Sequence, residues 1–390
     1  MIPVSDALGH IFSLVSVLDT ETVPLADASG RVLAQPAIAN RDQPPFAASV
    51  MDGYALNGVE ADPEAMFRVI GTSAAGHRFS GRVGPGECVR IFTGAPVPDG
   101  ASRVIIQEDT TRKGDVITLA RDLDEGPYIR PAGADFAIGD RVEAGRILGP
   151  SDLALLAAMN VPALTVRRRP VVAIMATGDE LVMPGDTPGP DQIIASNNFG
   201  LKALVEANGG QARLLPIARD NEASLKQAFA LAEGADLVVT IGGASVGDHD
   251  IVADVAASLG MEQRFYKIAM RPGKPLMAGR MQGATMLGLP GNPVSAMVCG
   301  HVFLVPALRA MLGLGQSPAP RLTAPLAEPV AANGGREHYM RARLTPDGIR
   351  PFARQDSALL SVLAQANALL IRPVNDPARS AGESVAYLPL

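Results

Sequence analysis

The stretch 236-DLVVTIGGASVGDHD-250 decides the fold, because it joins an apolar run to a glycine-rich turn. Leu237 to Ile241 is short and rich in β-branched residues, which predicts a strand covered on both faces. The apolar run is followed by Gly242, Gly243, Ser245 and Gly247. A strand, a glycine turn and a helix start together direct backbone N–H groups toward an anion. The stretch therefore predicts an anion site at the carboxyl edge of a parallel sheet.

Two carboxylates, Asp248 and Asp250, follow the glycines and allow two interpretations. A loop that only binds phosphate has no use for acids, so they predict a cation or a sugar hydroxyl beside the anion. The alternative is a tight strand-to-helix turn with a capping Asp. The stretch alone leaves both interpretations open.

Length and composition limit the possible classes of protein. A chain of 390 residues is too long for one small core, so we expect roughly two to four domains. The net charge of −6, without a long basic stripe, argues against a nucleic-acid binder. Two cysteines make no disulfide framework or metal motif and fit a reducing cytoplasm. We see no signal peptide and no apolar run of the ~18 residues that a membrane helix needs, so we expect a cytoplasmic protein without membrane contact.

The pattern of the N-terminal part of the chain predicts two mixed or β-rich lobes. Residues 1–45 and 140–169 form a predicted elongated domain, which begins with a helix over 3–18 and Ser5 as its N-cap. Short alternating runs broken by glycines make 46–139 a β-rich lobe. The 40 glycines and 32 prolines of the chain predict many turns, so we expect strand-rich lobes whose loops are candidates for lining a site.

The rest of the chain changes pattern near residue 170. Residues 170–312 alternate strand and helix patterns, which predicts a doubly wound, mostly parallel sheet. Residues 313–390 contain short strands between turns and predict a small β-barrel-like domain. The predicted fold class is therefore α/β plus β.

Polar residues collect where the predicted strands of the α/β segment end. Glu180, Asp220, Ser245 and Asp250 follow such strands, and 290-PGNPVS-295 follows the last one. The basic residues of the same segment are Lys267, Arg271 and Lys274. Ligands of open α/β sheets bind outside the carboxyl ends of the strands, so this convergence favours a binding site over simple turn capping.

Three segments of the β-rich lobe hold isolated polar residues. They are Asp52 in SVMDGYAL, Thr93 in FTGAPVP and Asp135 in RPAGADF. Each side chain could also satisfy the backbone of its own turn. The residues by themselves do not decide between that structural role and a functional one.

Eight segments in the same order resemble the molybdopterin molybdenumtransferase family, the MoeA-type enzymes also found in gephyrin and its plant counterpart. They are SVMDGYAL, FTGAPVP, RPAGADF, ATGDELV, SNNFGL, IGGASVGDHD, MRPGKPLMAG and GLPGNPVSA. The resemblance implies a four-domain homodimer in which the doubly wound sheet binds molybdopterin. It also implies an enzyme that inserts molybdate into molybdopterin-adenylate with Mg²⁺ or Zn²⁺, releasing AMP and the molybdenum cofactor.

The resemblance implies roles for single residues. The positions matched to catalysis are Asp52, Thr93, Asp135, Glu180, Asp220, Asp250, Lys267 and Arg271. The positions matched to substrate binding are Gly242, Gly243, Ser245, Gly247, Lys274, Pro275, Pro290, Gly291, Asn292, Ser295, Arg341 and Ser357. Asp220 and Asp250 are the expected metal ligands, because carboxylates hold Mg²⁺. Asp52, Thr93 and Asp135 would reach the site across a domain or dimer interface.

Several C-terminal and basic positions carry further expectations. Many relatives have lysine where this chain has Arg271, whose forked guanidinium prefers bidentate oxyanions. Arg336, Arg341 and the loop 355–358 resemble molybdate-contacting positions, and the alternative is a solvated strand face. We expect His338 to be a surface strand residue and His301 to pack within a helix.

Two other functions fit parts of this pattern. A molybdopterin adenylyltransferase shares the glycine-serine-aspartate sheet motif, but it would lack SVMDGYAL and RPAGADF. A non-catalytic gephyrin-like scaffold would need an added interaction segment, and this compact chain shows no long linker. The expected partners are small-molecule substrates, a second copy of the chain, and transient contacts with the adenylyltransferase and with acceptor molybdoenzymes.

Overall fold

The computed structural model describes residues 1–243 and 251–390. Ser245, Gly247 and Asp250, which belong to the glycine turn, lie outside the described residues. Their sequence-based roles therefore stay predictions.

The chain divides into two units. The first combines Met1–Glu21 with Arg167–Leu390, and the second is Thr22–Val166. The first unit contains the predicted α/β segment and the C-terminal strands, so the glycine turn and the C-terminal polar residues belong to one body. The second unit contains the β-rich lobe.

Helix α1 (Val4–Leu14) begins the first unit and is shorter than the predicted 3–18. It ends where Val15 takes an extended conformation, with φ −99° and ψ 150°. The prediction that Ser5 is the N-cap was wrong, because Pro3 precedes the helix and no side chain caps it. The Ser5 hydroxyl instead donates to the Asp6 carboxylate on the exposed face.

The second unit is built mainly of short strands. The first and last of its strands extend one or two residues beyond the bounds of the unit. Its elements are β1 (Thr20–Pro24), β2 (Ala37–Ile38), β3 (Ala48–Ser49), β4 (Gly53–Leu56), β5 (Met66–Ser73), β6 (Glu87–Ile91), β7 (Arg103–Ile106), β8 (Thr110–Lys113), β9 (Val116–Leu119), β10 (Ile129–Arg130), β11 (Arg141–Val142), α2 (Pro150–Ala158) and β12 (Ala163–Arg167). Six of these strands form one sheet in the order β7-β4-β6-β5-β9-β8. This sheet lies within the segment predicted to be β-rich.

Gly53 fixes how the strand after Asp52 enters this sheet. A Cβ atom at Gly53 would lie 1.9 Å from the carbonyl oxygen of Ile105 on the neighbouring strand. Only glycine fits this close backbone approach. The Asp-Gly pair thus begins β4 and places Asp52 at the end of the sheet.

The α/β part of the first unit follows the predicted alternation of strands and helices. Its elements are β13 (Val171–Ala176), β14 (Leu181–Val182), β15 (Ile193–Ile194), α3 (Asn197–Ala207), β16 (Gln211–Leu214), α4 (Glu222–Leu231), β17 (Leu237–Ile241), α5 (Ile251–Ser258), β18 (Glu262–Lys267), β19 (Met270–Arg271), β20 (Pro275–Met281), β21 (Ala284–Leu289), α6 (Pro293–Cys299) and α7 (Val305–Met311). The main sheet has the order β16-β13-β17-β21-β20-β18. The pairings among β16, β13, β17 and β21 are parallel, and those that add β20 and β18 are antiparallel.

Strand β17 lies in the middle of this sheet and is buried along its whole length. Leu237, Val239 and Ile241 belong to the apolar core on one face, and Val238 belongs to the core on the other. Alternate side chains of a strand point to opposite faces. The apolar run thus packs on both sides, as a strand covered by helices requires.

One helix is long and apolar enough to cross a membrane by length and composition. It runs from Pro293 to Met311, with a π-helical turn between α6 and α7, and is 19 residues long. The prediction that no apolar stretch reaches this length was therefore wrong. Since 78% of its most apolar window is buried inside the protein, its environment is that of a core helix.

The C-terminal strands form a second sheet of the first unit. The remaining elements are β22 (Leu322–Pro325), β23 (Glu337–Thr345), β24 (Gly348–Pro351), α8 (Leu360–Leu363), β25 (Ala368–Arg372) and β26 (Ser384–Pro389). The order is β19-β23-β25-β26-β22, with β24 also paired to β23. Because β19 comes from the α/β part, its parallel pairing with β23 joins the two parts. The chain thus has an α/β plus β fold made of several sheets.

The central strand predicts a large stability difference between two matched leucine replacements. Leu237→Ala removes a fully buried side chain and is expected to cost about 2–5 kcal/mol of unfolding free energy. Leu231→Ala, at the end of α4 where the side chain is 48% exposed, is the control and should change it by less than about 1 kcal/mol. Urea unfolding followed by circular dichroism measures both, and equal midpoints would contradict the central position of β17.

Candidate functional site

The parallel strands β13, β17 and β21 end in register at Ala176, Ile241 and Leu289. The turns that follow them surround a cavity of about 930 Å³, which we call the glycine cleft. Its lining includes Thr177, Gly178, Glu180, Asn198, Asp220, Gly242, Gly243, Pro275, Pro290, Gly291 and Asn292. The cleft thus lies at the carboxyl edge of the sheet.

Gly242 and Gly243 are required by the geometry of the cleft. Both have positive φ, of 94° and 68°. A Cβ atom on Gly242 would lie 2.7 Å from the carbonyl oxygen of Thr177, and one on Gly243 would lie 2.1 Å from a methyl of Val252. The wall of the cleft is therefore backbone, which suits an anion held by N–H groups.

Two loops bring carboxylates to the glycine cleft. Glu180 and Asp220 both line the cleft. The backbone N–H of Asp220 donates to the Asp179 carboxylate over 3.2 Å, and the Arg219 guanidinium donates to the carbonyl oxygens of Asp179 (2.8 Å) and Leu181 (3.3 Å). These bonds join the loop after β13 to the loop that contains Asp220.

Burial and the neighbouring acids together raise the pKa of Asp220. Burial has the largest effect, and the charges of Asp179 and Glu180 add to it. Like charges at close range disfavour the ionised form of each carboxyl. A cation between these loops would remove that repulsion, and hard divalent cations prefer carboxylate oxygens.

A complete metal centre is not visible in the part of the chain that the structure describes. No group of three or more His, Cys, Asp or Glu residues among 1–243 and 251–390 is arranged to hold a metal ion. Glu180 and Asp220 supply two carboxylates, and the remaining expected ligand, Asp250, lies outside the described residues. The carboxylate oxygens of these two described residues are the type of ligand that a hard divalent cation prefers.

A second cavity of about 400 Å³ adjoins the glycine cleft, and we call it the basic pocket. Its polar and prolyl lining includes Arg271, Lys274, Pro275, Pro290, Asn292, Ser295, Arg336, Asp356 and Ser357. Pro275, Pro290 and Asn292 line both cavities. An anion in the basic pocket would therefore lie beside a ligand in the glycine cleft.

Arg341 lies behind the wall of the basic pocket. Its side chain is fully buried, and one amino group, Nη2, donates to the backbone carbonyl of Asp356 over 2.9 Å. Nε and Nη1 have no hydrogen-bond partner among the described residues. A buried charge with unused donors favours a nearby anion, because leaving it uncompensated is costly.

The helix that follows the last parallel strand begins between the two cavities. Asn292 precedes α6 and lines both of them. The backbone N–H of Val294 donates to the carbonyl oxygen of Ser357 over 2.9 Å. This bond holds the C-terminal loop against the start of the helix and brings Ser357 to the basic pocket.

Lys267 is not brought to this site by the described structure. It ends β18, its ammonium lies 5.2 Å from the ring centre of Tyr266, and its side chain lines neither cavity as described. Arg271, Lys274 and Ser295, by contrast, all line the basic pocket.

His338 was predicted to be a surface strand residue, and this was wrong. Its side chain is only 8% exposed. It lies on β23 opposite Arg271 of β19 and Arg372 of β25. The sequence of β23 alone does not show that β19 and β25, which are distant in the chain, pair with it and bury His338.

In the second unit, Asp52 and Thr93 form a local pair. One carboxylate oxygen of Asp52 accepts both the backbone N–H of Thr93 (2.7 Å) and its hydroxyl (2.8 Å). These two hydrogen bonds lower the pKa of Asp52, and Arg90 adds a smaller effect. Asp135 is exposed, and its backbone N–H donates to the carbonyl oxygen of Gln43 over 2.9 Å.

Comparisons with known proteins cover the whole chain. Three family models match it in order: the MoeA N-terminal region (domain I and II) at residues 2–160, a probable molybdopterin binding domain at 173–310, and the MoeA C-terminal region (domain IV) at 323–390. A molybdopterin molybdenumtransferase of Nostoc sp. is 35% identical over 407 residues, covering 99% of this chain and 93% of the relative. The chain belongs to the molybdopterin molybdenumtransferase (MoeA) family. The resemblance seen in the sequence is thereby confirmed.

Other members of the MoeA family agree in sequence and in structure. A molybdopterin molybdenumtransferase of Haemophilus influenzae is 34% identical over 379 residues, covering 95% of this chain and 94% of the relative. The crystal structure of a molybdopterin biosynthesis moeA protein from Pyrococcus horikoshii has a TM-score of 0.86 at 28% identity and covers both chains completely. The MoeA fold therefore extends over both units.

Two residues, one beside the glycine cleft and one in its lining, were not singled out by the sequence. Asp179 accepts the N–H of Asp220, and Asn198 is 3% exposed with an amide oxygen that has no partner among the described residues. Both lie in segments that carry the MoeA resemblance, ATGDELV and SNNFGL. Membership of these two segments was the only sequence signal for Asp179 and Asn198. The site was instead predicted at Glu180, and the second segment was interpreted as the start of a helix.

The pair in the second unit predicts how Thr93 controls the protonation of Asp52. Thr93→Val removes the hydroxyl donor but keeps the backbone donor, so the pKa of Asp52 should rise toward its ordinary value. Thr93→Ser keeps both donors and should leave the low pKa unchanged. NMR titration of the Asp52 carboxyl carbon measures this, and the same pKa in both variants would contradict a bond from the hydroxyl.

The acidic loops predict a change in the opposite direction for Asp220. Asp179→Asn removes a nearby negative charge while its side-chain oxygen can still accept the N–H of Asp220, so the pKa of Asp220 should fall. Asp191→Asn, at an exposed acid that does not contribute to this shift, is the matched control and should leave it unchanged. The measurement is again a carboxyl NMR titration, and an unchanged pKa in Asp179→Asn would show that the charge of Asp179 does not contribute to the shift.

Proposed function

We propose that this chain inserts molybdate into molybdopterin-adenylate, with hydrolysis of the adenylate and release of AMP and the molybdenum cofactor. The observation that supports this most directly is the pair of adjoining cavities that share Pro275, Pro290 and Asn292. One cavity has a glycine wall and acids, and the other has basic residues. The reaction needs a place for a phosphate chain beside a place for an oxyanion.

The glycine cleft would hold the phosphate groups of molybdopterin-adenylate. Gly242, Gly243 and Gly291 present backbone at its wall, and Asn292 stands before a helix start. Backbone N–H groups at such positions bind phosphate without an added positive side chain. We assign Ser245 and Gly247 to the same wall from the sequence.

Carboxylates of the cleft would hold a divalent cation, Mg²⁺ or Zn²⁺. We assign Asp220 and Asp250 as its ligands, with Glu180 beside them. The pKa of Asp220, which burial and then the charges of Asp179 and Glu180 raise, supports this assignment, because a cation at these acids would offset both effects. When bound, the cation supplies Lewis-acid polarisation of phosphate oxygens. Without it, the acids would repel the phosphate chain.

The basic pocket would hold molybdate. Arg271 and Lys274 offer charged donors at its wall, Ser295 and Ser357 offer hydroxyls, and the buried Arg341 contributes charge from behind. Charge-assisted hydrogen bonds from such groups are about twice as strong as neutral ones. The forked guanidinium of Arg271 keeps the positive charge of a lysine and can bind two oxygens of a tetrahedral oxyanion in a bidentate geometry.

Further parts of the proposal rest on the family and the sequence. We propose that Asp52, Thr93, Asp135 and Lys267 also take part in the reaction. We further propose a cytoplasmic homodimer of four-domain chains, divided at 1–45 with 140–169, 46–139, 170–312 and 313–390. Transient contacts with the adenylyltransferase and with acceptor molybdoenzymes belong to the same proposal.

The activity is tested by incubating the purified chain with molybdopterin-adenylate, molybdate and Mg²⁺. We expect AMP release together with a cofactor that activates an apo-molybdoenzyme, and we expect Asp250→Ala to abolish both without unfolding the chain. Consumption of ATP with free molybdopterin would instead indicate an adenylyltransferase, and no turnover of either substrate would indicate a scaffold. Full insertion activity in Asp250→Ala would overturn the assignment of that residue.

A further inference from the structure

His338 is a buried histidine beside the basic pocket that the proposed reaction does not use. Its side chain is 8% exposed, and its Nε2 atom has no hydrogen-bond partner among the described residues. It occupies the second position of β23. A buried imidazole nitrogen without a partner is uncommon and calls for a physical explanation.

Basic side chains face His338 from every strand packed against it. Arg271 lies opposite on β19 and Arg372 lies opposite on β25. Arg341, farther along β23, and Arg336, just before it, also act on its charge. Two of the four, Arg271 and Arg336, line the basic pocket.

Few negative charges offset this group. Arg372 forms a buried ion pair with Asp376, with 2.6 Å between Nε and Oδ2. Arg341 reaches only the backbone carbonyl of Asp356, although the Asp356 carboxylate acts on its charge from farther away. Burial and the four guanidiniums together lower the pKa of His338 to about 4. The imidazole is therefore neutral in the ligand-free chain at neutral pH.

An anion in the basic pocket would change this balance, because it would lie against the same arginines that oppose protonation. A charge of −2 next to Arg271 and Arg336 cancels much of the positive field at the imidazole. We infer that His338 takes up one proton from solvent when a tetrahedral oxyanion dianion binds in the basic pocket. His338 is thus a positioning and specificity residue, because its protonation makes the pocket bind a dianion more tightly than a singly charged anion. This inference rests on the proposed oxyanion role of the pocket.

Proton uptake on binding makes the affinity depend on pH with a definite sign. Because the complex holds one proton more than the free chain, molybdate binding becomes tighter as the pH falls. The dissociation constant should fall by up to about tenfold per pH unit in the range where uptake is complete. A purely structural His338 would leave the affinity independent of its protonation.

The test is calorimetric titration of molybdate into the full chain in two buffers of different ionisation enthalpy. Carried out at about pH 6 and about pH 7.5, where an imidazole can titrate, it gives the number of protons taken up per molybdate bound. We expect uptake that approaches one proton at the lower pH, together with tighter binding. His338→Asn should bind molybdate without proton uptake and with little dependence on pH.

His301→Asn is the matched control, since His301 is a partly buried histidine of the same unit whose pKa is lowered by burial alone. It should take up the same number of protons as the unmodified chain. If His338→Asn fails to fold, NMR titration of the imidazole signals of the unmodified chain replaces it. The chain has five histidines, and the signal of His338 should shift to a higher pKa when molybdate is added.

Two results would overturn the inference in different ways. Molybdate binding without proton uptake, or with equal uptake in His338→Asn, would refute the role of His338 and leave the oxyanion pocket intact. No molybdate binding by the unmodified chain would refute the oxyanion role of the pocket and the inference with it.

Discussion

The parallel register of β13, β17 and β21 is the constraint on which the rest of the site depends. These strands end together at Ala176, Ile241 and Leu289, so the three turns that follow face one cleft. A slip of one residue would send the core side chains of β17 to the wrong faces. The two apolar cores on either side of the sheet hold the register, and the glycine wall and the acids follow from it.

The site is electrically unbalanced in a way that suits its proposed ligands. Burial and neighbouring acids raise the pKa of Asp220 in the glycine cleft. Behind the basic pocket, the buried guanidinium of Arg341 has two nitrogens without a hydrogen-bond partner among the described residues. Each feature costs stability in the free protein. A cation against the acids and an oxyanion against the arginines would neutralise both, which explains why opposite charges remain in adjoining cavities.

Features that depend on the local sequence were predicted correctly, whereas features that depend on pairing between distant strands were missed. The strand Leu237–Ile241 and the positive φ of Gly242 and Gly243 after it were predictable, because both depend on the local sequence. The burial of His338 was not, because it depends on β19 and β25, which lie far from it in the chain. The N-cap at Ser5 failed because Pro3 precedes the helix. The sequence analysis also missed the 19-residue apolar helix that begins at Pro293.

The most direct measurement is a crystal structure of the chain soaked with AMP, Mg²⁺ and molybdate, with anomalous scattering used to locate molybdenum. The account predicts the AMP phosphate against Gly242 and Gly243, and a molybdenum peak within hydrogen-bonding reach of Arg271 and Ser357. A molybdenum peak far from both residues, or AMP bound away from the glycine wall, would contradict it.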